Sequence, residues 1–223
     1  MTRLFLINFK NYTEISAERT VSLALAAQKA AKTLNVEIVV APPQPSIAIV
    51  KQNVDIPVFC QHIDDAKAGQ STGFFIPEMA KSFGAAGSLI NHSEHRLSYV
   101  VISNLVQRLK QLSMTSVVCA QTPKEVAELA KLNPDFIAIE PPELIGSGKA
   151  VSKESPKIIQ DSIKSAAENS KLICGAGIVD QSDVTAALQL GVEGILVASG
   201  IIKSDSWYEK ILELGSAFTM TRL

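Results

Sequence analysis

Cysteine is scarce. Cys60, Cys119 and Cys174 are the only three in 223 residues. The count is odd and no two form a Cys-x-x-Cys pair, which argues against a disulfide framework and for reduced thiols in a cytoplasmic protein. An excess of one charge is missing too: 21 basic residues face 22 acidic ones, for a net charge of -1. No nucleic acid and no acidic membrane surface is therefore expected as a partner. Long apolar runs are absent. The first nine residues hold only Leu4-Phe5-Leu6-Ile7 before Asn8, shorter than the roughly 7–15 residues of a signal-peptide core. Nothing approaches the roughly 20 residues of a membrane span. The expectation is a soluble cytoplasmic protein that makes no membrane contact. No low-complexity segment, long linker or shift of composition marks a boundary, so residues 1–223 are expected to form one domain. With 47% hydrophobic residues, the chain can bury one substantial core.

What the sequence does have is alternation. Short apolar runs at 4–8, 37–41, 58–61, 88–91, 115–119, 136–140, 171–174 and 194–197 take turns with longer amphipathic stretches. The short runs are nearly continuous in apolar residues, as in strands buried on both faces of a parallel sheet. Helices are expected at 16–33, 45–52, 77–83, 98–111, 155–169, 182–190 and 206–218, and after Thr122. Ser16 is a candidate cap for the first, with Glu18 and Arg19 in its first turn. The third starts on Pro77 and stops before Gly84. Val101, Leu105, Leu109 and Leu112 form an apolar stripe on the fourth. Thr122-Pro123-Lys124-Glu125 reads as a capping box, and Gly191 ends the helix at 182–190. Eight strand–helix units with right-handed crossovers can close into a (β/α)8 barrel. The rival is an open doubly wound sheet, but no Gly-x-Gly-x-x-Gly follows the first strand. The fold class is therefore α/β, a closed eight-stranded parallel (β/α)8 barrel. At this length several helices must be shortened, those of units two and three first.

Active sites of such barrels lie at the C-terminal ends of the strands, so those positions carry the functional argument. Asn8 and Lys10 share one face past the first strand, with Phe9 turned away. After the third strand come Gln61, His62, Asp64 and Asp65; the spacing offers too few further ligands for a metal, and none is expected. The loop beyond ends in Phe74-Phe75-Ile76, which must pack beneath it or be covered by a partner subunit. Past the fourth strand, His92 is placed to stay neutral as a hydrogen-bond donor near helical N–H groups, while His95 reads as a packed or surface residue. The sixth strand delivers Glu140, followed by Pro141-Pro142-Glu143-Leu144-Ile145-Gly146-Ser147-Gly148. That reads either as an ordinary strand exit or as a base beneath a lid. A two-carboxylate glycosidase pair of Glu140 and Glu143 fits poorly, since both sit in one loop across two prolines. Cys174-Gly175-Ala176-Gly177 and Ala198-Ser199-Gly200, after strands seven and eight, are small enough for backbone to approach a phosphate.

Together these residues resemble the triosephosphate isomerase family over the whole chain, and its short archaeal branch in particular. The resemblance rests on Asn8-Phe9-Lys10, Asn91-His92-Ser93-Glu94 with Arg96, Ile139 to Gly148, Cys174-Gly175-Ala176-Gly177 and Ala198-Ser199. It implies interconversion of dihydroxyacetone phosphate and D-glyceraldehyde 3-phosphate through an enediol(ate), a step of glycolysis and gluconeogenesis. It also implies residue roles. Glu140 would be the base, His92 the neutral electrophile and Lys10 the cation that stabilises the intermediate, a division of labour for which the family is a standing example. Asn8, Phe9, Lys10, Ile145, Gly177, Ala198 and Ser199 would contact substrate, and Pro141 to Gly148 would form the lid. No cofactor and no metal are implied. Two departures from longer relatives stand out: the lid has no tryptophan, Trp207 being the only one, and Gly177 replaces a serine. In the family, the loop after strand three reaches a neighbouring subunit, so Thr72, Phe74, Phe75 and Ile76 imply a homo-oligomer. Other readings fare worse. A Schiff-base aldolase needs a lysine inside a late strand, and Lys171 only begins one. A non-catalytic sugar-phosphate binder would be expected to lack the base or the electrophile, yet Glu140, His92 and Lys10 are all present.

Overall fold

The apolar runs become eight strands in a computed structural model that describes residues 3–16, 18–166 and 170–220. They are β1 (Leu4–Asn8), β2 (Ile38–Ala41), β3 (Phe59–Cys60), β4 (Gly87–Ile90), β5 (Thr115–Ala120), β6 (Phe136–Ile139), β7 (Lys171–Cys174) and β8 (Gly194–Val197). Helices fill the crossovers: α1 (Glu18–Leu34), α2 (Ile47–Asn53), α3 (Pro77–Ser82), α4 (Tyr99–Gln111), α5 (Pro123–Ala130), α6 (Val151–Glu154), α7 (Pro156–Ala166), α8 (Gln181–Gln189), α9 (Ser199–Ile202) and α10 (Trp207–Met220). The strands run in the order β2-β1-β8-β7-β6-β5-β4-β3, and all paired neighbours are parallel. The two ends meet at a parallel bridge between Val40 and Val58, where the Val40 N–H donates to the Pro57 carbonyl at 3.2 Å. The sheet is thus the expected closed (β/α)8 barrel. Units two and three are the short ones, with helices of 7 and 6 residues.

Strand alternation sorts the apolar residues into two layers. Leu4, Leu6, Val39, Leu89, Val117, Cys119, Ala138, Ile173 and Leu196 fill the barrel. Phe5, Ile7, Ile38, Val40, Ile137, Ile139 and Ile195 face outward to the helices. Following the inward set past each strand end gives the residues at the mouth: Asn8 after Leu6, Glu140 after Ala138, Gly175 after Ile173 and Ala198 after Leu196. The barrel interior thereby turns from apolar to polar or small where a substrate could enter.

Several local expectations need correction. β3 keeps only two residues, because its outer neighbour pairs through one bridge. β6 stops at Ile139, although the Glu140 N–H still donates to Ala120 at 2.8 Å. The buried stripe of α4 is Ile102, Leu105, Val106 and Leu109, so Val101 is only half-buried. α8 begins at Gln181, one residue before the expected 182, and Asp180 caps it through a reciprocal box with Asp183. In α5 the Thr122 hydroxyl accepts from the Glu125 N–H, but the Glu125 carboxylate takes the Gln121 N–H instead of closing the expected box. The expected helical positions Ala17 and 167–169 lie outside the described residues. Among the described residues, no helix is long and apolar enough to cross a membrane.

Candidate active site

Glu140 stands at the centre of the mouth. It is 5% exposed, and its side chain lies over Gly175, where a Cβ would come within 2.5 Å of its Oε1. Gly175 therefore has to be glycine for the carboxylate to sit there. Oε2 is buried with no hydrogen-bond partner among the described residues and lies 3.6 Å from His92 Nε2. Burial pushes the Glu140 carboxyl above the usual carboxylate range; His92, the Cys119 thiol and Lys10 only partly offset it. A buried carboxylate oxygen left without a hydrogen bond is costly for a fold, which sets Glu140 apart from a plain strand exit. Cys119 and Cys174 flank it, and both thiols are pushed up, first by burial and then by the Glu140 charge.

His92 is 6% exposed. Its Nδ1 accepts from the Glu94 N–H at 3.2 Å, so Nδ1 holds a lone pair and the ring proton sits on Nε2, facing Glu140. The N–H that meets Nδ1 belongs to a tight turn and not to the helix beyond: the His95 N–H donates to the His92 carbonyl at 2.8 Å, and α4 begins only at Tyr99. Lys10 adopts a left-handed backbone, φ +50, fixed by Asn8 Oδ1 accepting its N–H at 3.0 Å. Its ammonium meets Glu94 Oε1 at 2.5 Å. Gln61 braces the same turn by donating to the carbonyls of Lys10 and Ala41 at 2.9 and 3.0 Å.

A cavity of about 50 Å³ joins these groups to the loops beyond strands six, seven and eight. Asn8, Lys10, His92, Glu140, Ile145, Gly177, Ala198 and Ser199 all line it, together with Tyr12, Gly146, Ala176 and Gly200. Phe9 does not. Strand alternation turns it into the outer core, where it is fully buried. The segment from Pro141 to Gly148 lines the cavity through Ile145 and Gly146. A 3-10 turn at Pro142–Leu144 stiffens its first half, and Leu144 is buried beneath it. Its second half turns on Gly146 and Gly148, at φ +70 and +73. The Ser147 hydroxyl donates to the Leu144 carbonyl at 2.8 Å.

A larger hollow of about 630 Å³ opens beside the first, sharing Asn8, Lys10, Tyr12 and His92. Gln44, Gln61, His62, Asp64, Glu94 and His95 are among the other residues of its rim. There His62 and His95 stack, ring centres 3.7 Å apart, and His95 is exposed, the surface alternative of the two expected for it. The loop 66–76 rises nearby, its foot held by Asp64, which exchanges hydrogen bonds with Phe75. Its apolar triplet divides. Ile76 is buried, Phe75 stacks on Phe83, and Phe74 is 57% exposed. The supporting roles of Glu94, Gln61 and Gly175 escaped the sequence reading. Gln61 carried a signal, being a polar residue directly past a strand that runs into the barrel.

The geometry can be set beside known proteins. The family model described as triosephosphate isomerase matches residues 3–214. The triosephosphate isomerase of Cenarchaeum symbiosum is 48% identical over 218 residues, 97% of this chain and 98% of that one. That of Methanothermobacter thermautotrophicus is 44% identical over 218 residues, 96% and 95% of the two chains. That of Methanothermus fervidus is 41% identical over 214 residues, 95% and 96%. Matches of this length and depth span the eight strands and every loop at the mouth, and the chain belongs to the triosephosphate isomerase family.

Proposed function

We propose that Glu140, His92 and Lys10 divide the work of the reaction this chain catalyses, the interconversion of dihydroxyacetone phosphate and D-glyceraldehyde 3-phosphate. Glu140 takes a proton from the carbon beside the carbonyl. The bonding electrons move onto the carbonyl oxygen, giving an enediolate. A proton passes by way of His92 from the neighbouring hydroxyl to that oxygen, and Glu140 returns its proton to the former carbonyl carbon, so the carbonyl re-forms on the other carbon. His92 donates from Nε2 to the oxygen where charge builds, and Lys10 holds that charge electrostatically. What carries the reading is one pairing: the buried, unpartnered Glu140 Oε2 at 3.6 Å from the His92 Nε2–H. A base needs its lone pair free, and a raised carboxyl value brings it nearer to neutrality.

Phosphate binding falls to backbone groups. Gly177 and Ala176 both turn at positive φ, +70 and +69. The first turn of α9 leaves the N–H groups of Ser199 and Gly200 without partners in their own helix. Ile145 and Gly146 complete the pocket from the lid, whose closure excludes water and protects the intermediate from losing phosphate. The whole of residues 1–223 acts as one catalytic domain in the cytoplasm. It self-associates through the loop carrying Thr72 and Phe74, whose tip enters the larger hollow of a neighbour and shields Lys10. A coupled assay that follows glyceraldehyde 3-phosphate conversion tests the activity; no turnover by the folded protein would favour a binding protein instead.

A further inference from the structure

Glu125 sits where it should close the cap of α5, yet its carboxylate is engaged elsewhere. Oε2 accepts the Gln121 N–H at 2.8 Å. Oε1 reaches across to the preceding unit, where it accepts from Arg96 Nη2 and, at 3.3 Å, from Asn91 Nδ2. Those two residues bracket the loop that carries His92. Asn91 is 1% exposed and left-handed, φ +63. Asparagine tolerates that conformation better than most residues but still has to be held in it. It is held from several sides: Nδ2 donates to the Cys119 carbonyl at 2.9 Å, Oδ1 accepts the Leu97 N–H at 2.9 Å, and the Asn91 carbonyl accepts from Arg96 Nη1 at 3.3 Å. The loop 91–97 is thereby closed into a ring whose clasp is Glu125. Inside that ring, the Glu94 N–H meets His92 Nδ1 and the Glu94 carboxylate meets Lys10.

We propose that Glu125 is a positioning residue for the isomerisation. Through Asn91 and Arg96 it fixes the 91–97 loop so that the Glu94 N–H keeps the His92 proton on Nε2, facing the substrate. This rests on reading His92 as the electrophile. A residue that merely caps α5 would affect stability and leave the chemical step alone. The two roles separate cleanly, because Thr122 supplies the cap without touching Asn91 or Arg96.

The test compares four variants by steady-state kinetics, melting temperature and the ¹⁵N spectrum of the His92 ring. Glu125→Ala and Arg96→Met are expected to lower kcat about 10- to 100-fold, the cost of a small misplacement of a reacting group. KM should stay within about threefold, since the phosphate contacts are untouched. In both variants the ring spectrum should lose its single Nε2–H form. Glu125→Gln, whose amide oxygen still accepts from Arg96 and Asn91, should restore most of kcat. Thr122→Ala should lower the melting temperature alone. If Glu125→Ala does not fold, Arg96→Met decides. A parent-like kcat and ring spectrum in these folded variants would overturn the proposal, as would an equal loss of kcat in Thr122→Ala. Absence of turnover in the parent would count against the functional reading, whereas the ring spectrum tests the clasp independently of turnover.

Discussion

Glu140 carries a buried carboxyl that the fold would be more stable without. Its value is raised chiefly by burial, whereas an unfolded glutamate titrates near about 4.3. Between those two values the folded chain binds more protons than the unfolded one, so stability falls as pH rises through the window and stays lower above it. Glu140→Gln should therefore melt higher than the parent at about pH 7, and the gain should vanish below about pH 4. Thermal melts across that range check it; an unchanged difference at all pH values would mean that ionisation of Glu140 is not the cause. The same shift sets the acid limb of kcat/KM, whose half-loss should lie above about pH 4.3. Glu140, His92 and Lys10 could be singled out in the sequence because each lies within two residues of the end of an apolar strand. Glu125 was not. Its spacing from Thr122 matched a helix cap, and only the folded barrel brings Arg96 and Asn91 to it.

At the scale of elements, the proposed lid and the loop after β7 are fitted to each other. A Cβ on Gly177 would overlap the carbonyl oxygen of Lys149, just beyond the lid, and Gly177 already turns at φ +70. The serine of longer relatives thus has no room here. Gly177→Ser should strain the turn by about 1–3 kcal/mol and unseat the lid, raising the dissociation constant for inorganic phosphate and lowering kcat. Titration with phosphate and steady-state kinetics check it; parent-like values would show that the loop can yield. The lid's trailing anchor shares this setting: Lys153 of α6 pairs with Asp183 of α8 at 2.6 Å, and the Ser152 hydroxyl donates to the Asp183 carbonyl at 2.9 Å. Helix α6 was missed in the sequence, since four residues between a Gly-Ser-Gly turn and Pro156 carry no readable period. The apolar triplet of the 66–76 loop was legible as a cluster but not in its division. Only the packing shows that Phe74 is the member left outside.

Across the whole molecule, the eightfold alternation made the barrel legible, helped by start or stop signals in several crossovers, such as Pro77 with Gly84, Thr122-Pro123 and Gly191. Closure was harder to read. The seam between β2 and β3 is a single bridge at Val40 and Val58, and a strand of two residues leaves little pattern in a sequence. The larger hollow lies on the side of this seam, among the loops after β1 to β4, and leaves Lys10 and His92 accessible from that direction. Assembly of two copies covers it in the proposed arrangement. Phe74→Glu should then shift the mass measured by light scattering towards the monomer and reduce kcat, since water would reach Lys10. A monomeric parent would remove the basis for that arrangement. The division of labour at the mouth is tested most directly by the turnover of Glu140→Asp beside the parent, with inorganic phosphate affinity measured on both. Shortening the side chain by one carbon withdraws the base while leaving the phosphate loops alone. The expected result is a kcat lower by about 100-fold or more with phosphate affinity retained; turnover within about threefold of the parent would contradict Glu140 as the base.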